Sequence, residues 1–168
     1  MKTLYLLRHA KAGESPLGDA ARPLVKKGRK AAKTMGAFLA TLKPPAELIL
    51  CSTAARTRET LEVVLPELPP PRAVLFEEGL YLAEPEALLA RLREVPPATA
   101  SVLMIGHNPG LLELGARLAA EPGPLSEGFP TASLAVLELP GWAELRWHKA
   151  KLSQYRTPKD LNRDFDGD

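Results

Sequence analysis

Arg8 and His9 stand directly after an apolar run, Thr3 to Leu7, and the same order of types returns twice. Ser52 follows Glu47–Cys51, with Arg56 one helical turn further on, and His107-Asn108 follows Ser101–Gly106. A neutral imidazole is a nucleophile, and a guanidinium forks onto two oxygens, so two histidines and two arginines in one cleft suit a phosphoryl group. Nearby guanidinium charge disfavours imidazolium, which keeps His9 reactive between Arg8 and Arg56. Phosphoryl transfer asks mainly for positioning and charge stabilisation, and these groups supply both without a cofactor. No His-x-x-x-His or His-Glu-x-x-His spacing occurs, and Asp164, Asp166 and Asp168 lack the glycine a calcium loop needs, so no metal is expected.

These groups meet only if their strands lie side by side and parallel, because reactive side chains in an open α/β sheet gather at the carboxyl ends of strands. Thr3–Leu7, Glu47–Cys51, Ala73–Phe76 and Ser101–Gly106 are short continuous apolar runs, the pattern of strands covered on both faces. Between them, Leu24 to Leu42 repeats apolar residues every three or four positions and stops at Pro44-Pro45, with Lys26, Lys27, Arg29, Lys30 and Lys33 on its wet face. A second helix runs to Leu65 from the capping hydroxyls of Ser52-Thr53, and a third starts at Pro85 and ends at Pro96-Pro97. A fourth covers Leu111 to Ala120. Lys11 to Arg22, with Gly13, Pro16 and Gly18, reads as a loop leaving the first strand end. Ala132–Leu139 and Trp142–His148, joined by Pro140-Gly141, predict a hairpin, and the polar stretch from Lys149 to Asp168 reads as an irregular tail.

Alternating strands and helices predict a three-layer α/β/α sandwich with a mostly parallel sheet and one antiparallel element. The 168 residues suit one domain spanning 1–168. A net charge of +2 is too small for a nucleic-acid partner, and the basic helix lacks interleaved aromatics. The chain enters a strand at once, with no leader pattern and no span for a membrane, so a cytoplasmic location is expected. The lone Cys51 cannot pair within the chain and reads as a buried thiol. Oligomeric state is not legible.

Leu7-Arg8-His9-Ala10, the stretch Ser52 to Thr60 containing Arg56, and Ile105-Gly106-His107-Asn108 resemble the histidine phosphatase superfamily, the phosphoglycerate-mutase-like fold. Short length, Arg22-Pro23-Leu24 before a Gly28-containing helix, and the lack of an inserted cap are most similar to its SixA-type phosphohistidine phosphatases. The resemblance implies a phosphatase in which His9 forms a phosphohistidine while Arg8, Arg56 and His107 hold the phosphoryl group and Arg22 joins them. Ala10 replaces the glycine more usual after the histidine.

Ser52 either contacts phosphate or caps its helix, and Asn108 is open in the same way. Relatives that cleave esters use a carboxylate after the third strand, which places Glu78, or its neighbour Glu77, as the candidate acid. A phosphohistidine substrate, whose imidazole leaves readily, needs that acid less. The expected substrate is thus a phosphorylated protein. The alternatives are a phosphomonoesterase or mutase for a small sugar or nucleotide-type phosphate, and a silent phosphate-binding adaptor.

Overall fold

The structure, a computed structural model, describes residues 1–166 and the side chains of 1–162. Four strands run parallel and form one side of its sheet: β1 (Lys2–Arg8), β2 (Leu48–Ser52), β3 (Ala73–Glu77) and β4 (Ser101–Gly106). Two more, β5 (Leu134–Leu139) and β6 (Lys151–Arg156), complete one six-stranded sheet of order β3-β2-β4-β1-β5-β6. β5 runs antiparallel to both β1 and β6.

Burial on both faces explains why the inner strands are continuously apolar. Leu4 and Leu6 enter one core with Leu50 and Met104, while Tyr5 and Leu7 enter the other with Ile49, Cys51 and Ile105. The second core lies under α1 (Lys26–Leu39) and α2 (Ala55–Val64), and α5 (Pro158–Asp166) packs beside α1. The first lies under α3 (Pro85–Arg93) and α4 (Gly110–Leu118). The expected α/β/α sandwich is the fold. Cys51 is fully buried, and burial pushes its thiol up to about 12, so it is an inert core group.

Two expectations fail at the carboxyl-terminal end. Trp142–His148 is not a strand: Trp142 and Leu145, three apart, are both buried, and the Trp142 indole donates to the Thr99 carbonyl across the foot of the sheet. His148 turns with φ of 64°, its N–H on Arg117. The partner of β5 is instead β6, and α5 follows it, where an irregular tail was expected. β6 is polar because it is an outer strand, with Leu152 and Tyr155 packing inward, so its sequence carries too few apolar residues to stand out.

Candidate active site

The strand order places β2, β4 and β1 side by side, so their carboxyl ends open onto one cleft of about 360 Å³. Arg8, His9, Arg22, Arg56, His107 and Asn108 all line it. Six of the eight sequence candidates therefore converge there. Ser52 stands just behind, and Glu78 is not among the lining residues.

His9 is held at three points. Its N–H donates to the Gly106 carbonyl on β4, and the next N–H, of Ala10, donates to Thr60 Oγ1, which in turn donates to the Arg56 carbonyl. Its ring Nδ1 lies 2.7 Å from the Ala10 carbonyl. A carbonyl only accepts, so Nδ1 carries the proton and Nε2 keeps its lone pair. Ala10 is fully buried, so the methyl that replaces the expected glycine packs into the core away from the cleft.

His9 is 8 % exposed, and burial, reinforced by Arg56, Arg8 and Arg22, pulls its pKa down to about 4 against a lesser opposing effect of the Ala10 carbonyl. Burial thus outranks the guanidinium charges as the cause of its neutrality. His107, tilted 5.4 Å from His9 between ring centroids, is lowered to about 3, again by burial first and then by Arg56. Both imidazoles are neutral at physiological pH.

Ser52 does not cap α2, which starts later, behind Ala54. Its hydroxyl lies 2.8 Å from His107 Nε2 and accepts the Ala54 N–H at 3.4 Å. Thr53 does not cap the helix either. Asn108 Nδ2 and Arg8 Nη1 instead share the Phe129 carbonyl, which anchors both to the loop before β5.

Four of the five buried side-chain polar atoms without a hydrogen bond among the described residues belong to this cleft: Arg8 Nε, Arg56 Nε, His107 Nδ1 and Asn108 Oδ1. Each such atom costs about 1–3 kcal/mol when desolvated and unpaired. Their concentration at one place marks a site shaped for a polar guest.

Asp19 is the residue that sequence reading missed. It sits in a 3-10 turn, Asp19–Ala21, inside the expected loop, and its carboxylate accepts from Arg56 Nη2 at 3.0 Å, from Arg22 Nη1 at 3.1 Å and from the Tyr81 hydroxyl. Its backbone carbonyl takes Arg56 Nη1 at 2.9 Å. The Tyr81 and Arg22 hydrogen bonds, with Arg56, hold its pKa well below the usual carboxylate range. Its nearness to Arg22, three residues on, was the one available signal.

Two glycines set the walls. A Cβ on Gly28, in α1, would strike the Lys11 carbonyl, and one on Gly110 would strike the Ala83 carbonyl. Bare backbone at Gly28 lets Lys11 close on the cleft, and at Gly110 it seats the segment carrying Tyr81 and Leu82. Tyr81 then meets His107 edge-on, with ring centroids 5.4 Å apart.

Paired His and Arg side chains, delivered by neighbouring parallel strands to one desolvated cleft, define an α/β protein that handles phosphoryl groups. The model of the histidine phosphatase superfamily, branch 1, matches residues 4–81. Phosphohistidine phosphatase SixA of Escherichia coli K12 is 31% identical over 148 residues, 81% of this chain and 84% of that protein. A solved structure from Nakamurella multipartitia, 32% identical, superposes with a TM-score of 0.84 over 94% of this chain and 96% of its own. The protein histidine phosphatase SixA complexed with tungstate is 26% identical and superposes at 0.81 over 95% and 99%. The chain belongs to the histidine phosphatase superfamily, and it is a phosphatase.

Proposed function

We propose that the protein hydrolyses phosphohistidine on phosphorylated proteins through a phosphorylated His9. The observation that carries this reading is the Nδ1–H bond from His9 to the Ala10 carbonyl, which leaves a neutral, buried ring with Nε2 free to attack. Nε2 forms a bond to phosphorus as the substrate P–N bond breaks. The departing imidazole keeps that electron pair and takes a proton from solvent. Water then attacks the phosphorus of phospho-His9, Nε2 leaves with its electron pair, and inorganic phosphate departs.

Arg8 and Arg56 stabilise the equatorial oxygens by charge. His107 Nε2 is the only acceptor among the hydrogen-bond partners of Ser52 Oγ, so the hydroxyl hydrogen goes to Nε2 and the His107 proton goes to Nδ1. That N–H, buried and unpartnered, donates to a phosphoryl oxygen. The orphaned donors of the two arginines are satisfied at the same time. Arg22, held by Asp19 and the Gly13 carbonyl, and Asn108 complete the rim.

The acid supports the substrate choice. Glu77 is committed to a two-point pair with Arg91 at 2.7 and 3.0 Å, and Glu78 is exposed outside the cleft. Asp19 is the one carboxylate among the lining residues, and it is held ionised. An alkoxide leaving group would find no carboxylic acid ready, whereas imidazole leaves without one. E. coli SixA is named as a phosphohistidine phosphatase, and tungstate in the related complex is a tetrahedral oxyanion like phosphate. Leu82, which lines the cleft and is 52% exposed, leaves an apolar lip that suits a protein surface around the phosphorylated side chain. No helix among the described residues is long and apolar enough to cross a membrane.

The test is rapid quench with a radiolabelled phosphohistidine peptide. An acid-labile, base-stable phosphoenzyme should appear in the wild type and vanish in His9→Ala. Label retained in that variant refutes the nucleophile. Faster turnover of sugar phosphates than of phosphohistidine refutes the substrate class in favour of a phosphomonoesterase, and binding without turnover points to an adaptor.

A further inference from the structure

The charges of α1 run against what its own helix favours. Between Lys26 and Leu39 it carries five basic residues and no acidic one, and Lys26 and Lys27 open its first turn, where the helix dipole favours carboxylates. Val25, before them, gives no side-chain cap. Lys30 stands four residues from Lys26 and three from both Lys27 and Lys33, spacings at which like charges on a helix repel. Arg29 alone finds an acid, Glu59 on α2, while the four lysines are exposed and form no ion pair among the described residues. Packing does not require them, because Gly28, Ala32, Met35 and Leu39 supply the buried stripe. Residues that weaken their own element without a return in packing are expected where a surface has a function.

The position of this face in the fold indicates that function. Ala12 bridges Leu24, the Gly13 N–H donates to the Pro23 carbonyl and the Val25 N–H to that of Lys11, so the chain enters α1 alongside the loop leaving β1. Gly28 then lies against Lys11, three residues past the end of β1, and Lys11 itself lines the cleft. The first turn of α1 therefore stands above the carboxyl end of the sheet, level with the cleft. From there Lys26 to Lys33 span about 10 Å of helix. Glu14, just past the bridge, pairs with none of them.

We propose that the lysine face of α1 is a docking surface for an acidic face of the substrate protein, held there while its phosphorylated side chain enters the cleft; this rests on the reading of a phosphoprotein as substrate. Partner carboxylates set against Lys26, Lys27 and Lys30 relieve the repulsion within the helix. Their attraction acts on capture and leaves the chemical step alone. A nucleic acid fits less well, since no aromatic side chain stands between Lys26 and Lys33 to stack on bases.

Two phosphohistidine peptides, alike except for glutamates or lysines around the phosphorylated residue, separate capture from chemistry, and phosphoramidate serves as a substrate without flanks. At about 0.05 M salt the acidic peptide should show a KM about tenfold lower at similar kcat, and at about 1 M salt the gap should close to within about twofold. Lys26→Glu with Lys27→Glu should erase the preference and leave phosphoramidate turnover within about twofold. The same pair should raise the melting temperature by about 1–3 °C, because carboxylates suit that end of a helix. Arg146→Glu with Lys149→Glu, exposed residues beyond Trp142 at the foot of the sheet, makes the same change of net charge and should leave the preference within about twofold. Equal KM values in the wild type overturn the docking surface, as does a preference that survives the α1 reversal or falls equally with the distant one. A labelled DNA duplex that displaces the acidic peptide overturns the choice of a protein partner. If neither peptide is turned over, the phosphohistidine reading falls instead, and fluorescence anisotropy of the same two peptides on the same variants decides the docking face. Tighter binding of the acidic peptide, lost on the α1 reversal, supports it, and equal binding overturns it.

Discussion

β1 and β3 both deliver a pair of ionisable residues at their carboxyl ends, Arg8-His9 and Glu77-Glu78, and only the first pair reaches the cleft. β1 lies inside the sheet between β4 and β5, whereas β3 has β2 on one side and solvent on the other. At the inner position His9 is desolvated, tied to β4 by its N–H and to Thr60 through Ala10. At the edge, Glu77 turns to Arg91 on α3, and Glu78 begins a 3-10 turn in solvent. A polar pair after a strand becomes a reactive site when neighbouring strands enclose it and remove its water. Without that enclosure the same arrangement yields surface ion pairs.

The sharpest way to break this contrast is at its centre. His9→Ala should lower phosphohistidine hydrolysis by about 10³-fold or more, measured as steady-state kcat/KM with circular dichroism confirming the fold. Arg56→Ala, which removes both a proposed phosphoryl donor and the anchor of Asp19, should cost about 10²–10³-fold. Residual activity above a tenth of wild type in either would show that the inner strand ends are not the reacting centre.

Ser52→Ala tests an indirect contribution. Losing the hydroxyl frees His107 to put its proton on Nε2, so kcat/KM should fall about tenfold. Ser52→Thr, which keeps the hydroxyl, should recover part of the loss. A purely structural role would give equal falls in both variants.

Acidity gives a further contrast between enclosed and open positions. In the proposed mechanism His9 must be neutral to attack, and its pKa of about 4 sets the acid limb of kcat/KM there. The rate should stay level from pH 8 to about 5.5, where a solvent-exposed histidine with a pKa near 6.5 would already lose about tenfold. Stability follows the same sign. The unfolded chain binds protons at its histidines near pH 6.5, while folded His9 and His107 resist them down to about 4 and about 3. Their contribution is therefore complete above about pH 6.5 and is lost as pH falls through the folded values, which a thermal melt series should follow. The smallest effect belongs to the edge: Glu78→Gln should change turnover of phosphohistidine and of phosphomonoesters by less than about twofold. A selective collapse of ester hydrolysis would bring the acid back to β3.

Legibility in the sequence tracked burial. Ser101–Gly106 is a strand over the residues expected of it, because both faces are covered and every position is buried. The convergence of Arg8, Arg56 and His107 was legible on the condition that their strands be parallel neighbours, which the strand order supplies. Trp142–His148 was misread because its apolar residues cap the foot of the sheet rather than alternate across it, and β6 was missed because an outer strand needs few apolar residues. Asp19 was illegible for another reason: what recruits it is Arg56, 37 residues away.

Local chemistry along the chain determined the elements and the types of groups at their ends, since periodicity, prolines and continuous apolar runs act over a few residues. Tertiary structure decided which ends count. Strand order made β1, β2 and β4 neighbours and left β3 outside, and that placement governs desolvation, and through it which histidine is neutral, which carboxylate is ionised and which apolar edge is exposed. Solvation depends on everything that surrounds a group, and a sequence lists only the residues next to it along the chain.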